Sequence, residues 1–146
     1  MFRRGKVRGF TLIEIMVVVV IIGILAAWLM PQLVGRADQA RVARAKLDIK
    51  TLSVTLDLFK VDNGYYPSTE EGLKALVEKP ASASHWPEGG YLKGLKSLPK
   101  DPWGRPYEYV SPGEGGLPYE VVCYGADGKP GGDGFAADIS SATLSE

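Results

Sequence analysis

The chain has one cysteine, one histidine and no acidic residue among its first thirteen positions. A single thiol, Cys123, cannot close an intramolecular disulfide, so any glycine-rich segment must be held some other way. Cys123 lies in Tyr119-Glu-Val-Val-Cys-Tyr124, where Tyr119, Val121 and Cys123 fall on one face of a strand. That places it as a small buried residue and not a nucleophile. His85 stands alone in a Ser-rich loop flanked by prolines, with no acid or nucleophile at motif spacing. There is no nucleophile elbow and no zinc-type His/Cys cluster. Gly125-Ala-Asp-Gly-Lys129 lacks both the glycine spacing and the Ser or Thr of a phosphate loop. The chain is therefore expected not to be an enzyme. Internal repeats are also missing, and 146 residues leave room for one domain.

Charge is scarce in one place and lopsided elsewhere. The formal net charge is zero, yet Arg3, Arg4, Lys6 and Arg8 precede the first apolar run with no acid among them. Setting those four aside leaves 13 basic against 17 acidic residues. A mildly acidic body argues against a nucleic-acid partner, which requires clustered Lys and Arg.

Residues Phe10–Met30 read FTLIEIMVVVVIIGILAAWLM, 21 residues. At about 1.5 Å per residue that run spans roughly 30 Å, the thickness of a bilayer core. The basic start predicts a cytoplasmic N-terminus, with everything beyond the helix across the membrane and Trp28 near the far interface. A cleaved secretory signal has a similar start, but its apolar stretch is about 7–15 residues and ends in small residues. This run is longer and carries Glu14. Pro31 is expected to kink or restart the helix. Helical spacing then resumes: Val42, Ala45, Ile49, Leu52, Leu56 and Phe59 form an apolar stripe, with Arg41, Arg44, Lys46, Asp48, Lys50 and Asp57 opposite. Asp62-Asn63-Gly64 supplies the stop. Ser68-Thr-Glu-Glu71 has the form of a capping box opening a short helix through about Val77. Strands are expected at about Tyr107–Ser111 and Tyr119–Tyr124, joined by Pro112–Gly116. The result is α+β: a long N-terminal helix, half transmembrane and half amphipathic, bearing a small antiparallel sheet head.

Gly9-Phe10-Thr-Leu-Ile-Glu14 resembles the prepilin cleavage and methylation motif of type IV pilin-like proteins. The head is similar to that of the major pseudopilins of the type II secretion system. The matching pieces are Leu56-Asp57, Lys60–Pro67, Thr69–Leu76, Gly90-Tyr91, Asp101-Pro-Trp-Gly104 and Gly125-Ala-Asp-Gly128. Relatives often place a tryptophan shortly after the Asp-Ile pair, and Asp138-Ile-Ser-Ser-Ala142 has none. The resemblance implies a type IV pilin-like fold in four parts: a basic leader (1–9), a transmembrane assembly helix (10–30), an amphipathic helix (31–63) and a periplasmic head (64–146). It implies a prepilin peptidase cutting between Gly9 and Phe10 and N-methylating Phe10, and an assembly role for Glu14 against the Phe10 amine of a neighbour. It further implies a homopolymeric periplasmic filament that works with minor pseudopilins and an inner-membrane secretion platform to export folded proteins. The alternative is a pilin of a type IV pilus-like surface fibre, but such pilins generally close their C-terminal region with a disulfide.

The tail carries Asp127, Asp133 and Asp138 among glycines. Asp127 to Asp138 has the twelve-residue spacing of a helix–loop–helix calcium site with Gly132 sixth, yet Lys129 and Gly131 stand where ligands belong. By spacing alone the acids read as a solvated turn. The pseudopilin resemblance implies instead one calcium, with the Asp127 and Asp138 carboxylates and the backbone carbonyls of Tyr124 and Lys129 as ligands. Asp133 stays open between ligand and solvent-facing acid.

Overall fold

The computed structural model describes residues 9–144, without the side chains of 31–34. Its elements run α1 (Leu12–Asn63), β1 (Glu108–Val110), β2 (Glu120–Cys123), β3 (Ile139–Ser140) and α2 (Ser141–Leu144), with short 3-10 turns at Leu73–Leu76, Glu114–Gly116 and Gly134–Ala136. The expected leader lies outside the described residues except for Gly9. The chain divides at Ala37 and Asp38 into two compact units.

In the first unit the described apolar side chains of α1, as far as Met30, find no cover within their own chain. Exposure runs from 47% at Val18 to 80% at Leu12. This is the one described helix long and apolar enough to cross a membrane. Side chains apolar on all faces and covered on none suit a lipid or helix-packed surround, not water. The helical assignment runs through Pro31 and does not restart after it. A proline deletes one backbone donor, and the bonds on either side of it are enough to keep the turns helical.

The second unit is built on the predicted stripe. Ala45, Ile49, Leu52, Leu56 and Phe59 are all at most 1% exposed and pack with Leu73, Leu76, Tyr107, Tyr109, Val121, Cys123 and Ile139. Spacings of four, three, four and three put these five on one face of the helix, and each large side chain so buried contributes about 1.5–3 kcal/mol. The opposite face is less polar than the sequence suggests. Leu47, Val54, Leu58 and Val61 are exposed there. Asp48 is not a solvated charge either: its side chain is 13% exposed and sits at the edge of the core. The helix ends at Asn63, where Gly64 takes φ 85.

The capping box forms in full: Ser68 N–H donates to Glu71 Oε2 at 2.9 Å and Glu71 N–H to Ser68 Oγ at 3.2 Å. The helix it should open does not follow. Gly72 adopts φ 59 and ψ −167, so the turn breaks and resumes only as the 3-10 segment. The sheet is antiparallel in the order β1-β2-β3, with Tyr109 opposite Val121 and Cys123 opposite Ile139. Val121 and Cys123 alternate inward as read from the sequence. The third strand, two residues long, was not expected.

Candidate functional site

Two regions hold the sequence-predicted site residues. The first is the start of α1. Thr11 caps the helix: Glu14 N–H donates to the Thr11 carbonyl at 3.1 Å and to Thr11 Oγ1 at 3.3 Å. Glu14 thus occupies the first turn, where the helix dipole favours a negative charge. Gly9 and Phe10 are exposed just ahead of it, and a Cβ built on Gly9 would meet nothing within 4 Å. The Thr-x-x-Glu spacing of Thr11 and Glu14 is the sequence signal of this cap.

The second region is the loop from Tyr124 to Asp138. Here short backbone bonds close a chain of glycines. Gly128 N–H donates to the Tyr124 carbonyl at 2.9 Å and Ala126 N–H to the Phe135 carbonyl at 2.9 Å. Gly125 (φ 50) lies so near the far side of the loop that a Cβ there would come within 2.6 Å of Ala136. Asp127 Oδ1 accepts from Lys129 N–H at 3.1 Å, and Asp138 Oδ2 accepts from Gly131 N–H at 2.8 Å. Each carboxylate therefore pins the loop with one oxygen and keeps the other without a partner among the described residues. Asp133 contributes its carbonyl, to Ala136 N–H at 3.0 Å, and leaves its side chain exposed. Among the described residues no three acidic, histidine or cysteine side chains converge, so the three aspartates are not one cluster. The donors on offer are two carboxylates and the Tyr124 and Lys129 carbonyls. An all-oxygen set of this kind fits a hard divalent cation, which accepts mixtures of carboxylate and carbonyl.

Against the loop lies an ion pair of a buried carboxylate, Asp101, and a partly exposed guanidinium, Arg105. The Asp101 carboxylate, 2% exposed, accepts at Oδ1 from Trp103 N–H (3.0 Å) and Arg105 N–H (2.7 Å). Its Oδ2 faces Arg105 Nε at 3.4 Å and Cys123 Sγ at 3.6 Å. Arg105 Nη2 donates onward to the Gly125 carbonyl. Burial pushes the Cys123 thiol up to about 11, and the neighbouring Asp101 charge acts in the same direction. A thiol so held is an inert packing residue at neutral pH. An Asp preceding Pro, with an N–H two residues on, is an Asx-turn signal, and it was available in Asp101-Pro-Trp.

Comparison with known proteins bears on both regions. Residues 32–142 match the family model described as type II secretion system (T2SS), protein G. Residues 4–30 match the prokaryotic N-terminal methylation motif. The type II secretion system core protein G of Pseudomonas aeruginosa is 53% identical over 142 residues, covering 95% of this chain and 97% of that protein. The core protein G of Vibrio cholerae is 48% identical over 143 residues, covering 97% and 95%. The crystal structure of the major pseudopilin from the type 2 secretion system of enterohaemorrhagic Escherichia coli superposes with a TM-score of 0.63 at 35% identity. It covers 77% of this chain and 96% of that one.

Proposed function

The chain belongs to the type II secretion system protein G family, and on that premise we propose that it is a structural pseudopilin which polymerises into the pseudopilus of that system. The observation that carries this reading is the first unit of α1. Sixteen large apolar side chains between Phe10 and Met30 lie exposed in the single chain, and they become covered when like helices pack together or sit in a bilayer. Before assembly the helix anchors the subunit in the inner membrane, N-terminus cytoplasmic and head periplasmic, as the basic start directs. A prepilin peptidase removes residues 1–9 and methylates Phe10. Minor pseudopilins and the inner-membrane platform are the partners of the growing filament, whose extension drives folded proteins outward. Glu14 sets the stagger between helices through the Phe10 amine of a neighbour.

In the head, one calcium ion is held by the Asp127 and Asp138 carboxylates with the Tyr124 and Lys129 carbonyls. The support for this is the oxygen-only donor set and the unpartnered oxygen on each aspartate. Bound there, the cation supplies a cross-link in a chain that has no disulfide. The remaining chain does the rest: Asp127 and Asp138 fix the loop backbone, and Arg105, paired with the buried Asp101, bonds to it at the Gly125 carbonyl.

Deleting the gene and complementing with this chain tests the reading, with secreted hydrolases and surface pili assayed together. Restored secretion without restored pili is the expected result. Restored pili without secretion would assign the chain to a surface fibre instead.

A further inference from the structure

Arg105 reaches from one segment into another. Its backbone belongs to the turn at residues 101–105, which is closed by Asp101 N–H to the Arg105 carbonyl (2.7 Å) and Gly104 N–H to the Asp101 carbonyl (2.9 Å). Its side chain leaves that turn for the C-terminal loop, where Nη2 donates to the Gly125 carbonyl and Nη1 fills the space that a side chain at Gly128 would take. Gly125 follows Tyr124, and Gly128 stands between Asp127 and Lys129. One guanidinium therefore bonds to one end of the turn that presents three of the four proposed calcium ligands and packs beside the other. Gly128, at φ 70, admits it by having no side chain: a Cβ there would collide with the guanidinium.

The pairing explains why the held group is an arginine. A fork with five donors can satisfy a carboxylate on one edge and a carbonyl on the other, which a lysine ammonium cannot match in geometry. The charge is matched as well. Asp101, 2% exposed, is held by two backbone N–H groups and faces Arg105 Nε at 3.4 Å, so its charge offsets part of the guanidinium's. The guanidinium thus opposes a cation in the turn less than a lone arginine would. Five glycines from Gly125 to Gly134 have positive φ, so the backbone there has little conformational preference of its own. The loop's own hydrogen bonds are few, so a contact from outside helps to select its shape.

We propose that Arg105, anchored by Asp101, is a positioning residue that pre-forms the Tyr124–Lys129 turn for calcium; the inference rests on the calcium reading above. Groups one step behind metal ligands typically change metal affinity about 10–100-fold when removed. Calcium titration of the purified full chain in detergent, by calorimetry, compares the wild type with Arg105→Lys and with the paired variant Asp101→Asn/Arg105→Gln. The paired variant loses both charges together and so leaves no uncompensated buried carboxylate. Both variants are expected to bind calcium about 10–100-fold more weakly, while melting in chelator falls less than melting in calcium. An unchanged dissociation constant in folded variants would overturn the proposal. So would tighter binding by the paired variant with Arg105→Lys unaffected, which is the signature of simple charge repulsion. Equal melting losses with and without calcium mark a purely structural residue and also overturn it. Failure of the wild type itself to bind calcium removes the calcium reading, and this inference with it.

Discussion

Tyr107 Oη donates a 3.0 Å hydrogen bond to Asp48 Oδ2, tying the approach to β1 to the C-terminal half of α1 across 59 residues of sequence. Asp48 also accepts from Arg44 Nε at 2.8 Å, so the carboxylate keeps one partner if the other is lost. Tyr107 is otherwise buried in the core. Tyr107→Phe preserves the ring and removes only the hydroxyl. A hydrogen bond to a charged acceptor is worth about 1.5–3 kcal/mol, and the remaining Arg44 contact keeps the loss at the low end of that range. Urea denaturation of the purified subunit measures it. A variant as stable as wild type would show that the bond contributes nothing net.

The same core predicts alkaline sensitivity. Burial, the largest cause in each case, raises Cys123 to about 11 and Tyr66, Tyr91 and Tyr109 to about 12, and it raises Tyr107 further still. Unfolded Cys and Tyr ionise near 8.5 and 10 respectively. Folded values above unfolded ones mean the native state holds protons that the unfolded state releases. Stability is therefore complete below about pH 8.5 and declines as the pH rises through about 9 to 12. Denaturation at a series of alkaline pH values is expected to show that decline, with its first part smaller in Cys123→Ala. A flat profile over this window would contradict the buried assignments.

Long-range order is what the sequence concealed. The apolar run of α1 and the stripe from Ala45 to Phe59 are legible because they repeat at fixed spacing along one element. The head sheet was half legible: β1 and β2 have a β-branched and aromatic alternation, whereas β3 at Ile139–Ser140 is too short to carry a pattern. Gly72 cut short the helix that Ser68 and Glu71 were poised to start, a case of one backbone torsion overruling a correct local signal. In the loop the acids were visible as residue types. The Arg105 bond to Gly125 joins positions 20 apart, and no periodicity announces it.

Processing at the N-terminus gives a direct test. Residues 4–30 match the N-terminal methylation motif, and Gly9 is exposed with open space around its Cα. The mature subunit is expected to begin at Phe10, because a leader with four positive charges is incompatible with a packed apolar helix core. Gly9→Val is expected to accumulate as uncut precursor. Intact-mass measurement of assembled subunits resolves the two species, and filaments that retain residues 1–9 would defeat the expectation.

Glu14 has a structural reason to exist and a proposed functional one, and the two can be separated. Its position in the first turn of α1, next to the Thr11 cap, stabilises the helix start by about 0.3–1 kcal/mol at most. An acid at the centre of a membrane helix costs about 2.5–3.5 kcal/mol on insertion scales, although one near the surface costs less. A free α-amine is mostly protonated at neutral pH, so the Phe10 terminus of a neighbouring subunit can offset that cost. Glu14→Ala is expected to be processed normally and to assemble poorly, and Thr11→Ala, which removes only the cap, to assemble nearly as wild type. Equal filament yields from all three proteins would leave Glu14 with the helix-dipole role alone.

Calcium removal tests the head. The loop from Gly125 to Asp138 presents Asp127, Asp133 and Asp138, all exposed, on a backbone that glycine leaves loose. Without a cation only a few contacts oppose opening: the backbone bonds around Gly125 and Gly128, one bond from each of Asp127 and Asp138, and the Arg105 bond to Gly125. At free calcium about a hundredfold above the dissociation constant, linkage adds roughly 2.7 kcal/mol of stability. That is a large share of the ~5–15 kcal/mol typical of a domain. The melting temperature of the full chain in detergent is expected to rise with calcium and to fall with chelator. Magnesium should restore little, because it demands a tight octahedron of oxygens that mixed carbonyl and carboxylate donors on a glycine loop do not impose. Asp127→Ala and Asp138→Ala each remove one carboxylate and are expected to abolish the calcium response, whereas Asp133→Ala separates the two roles left open for that residue. Melting that ignores calcium, chelator and Asp127→Ala alike would return the loop to a solvated turn held by its own hydrogen bonds.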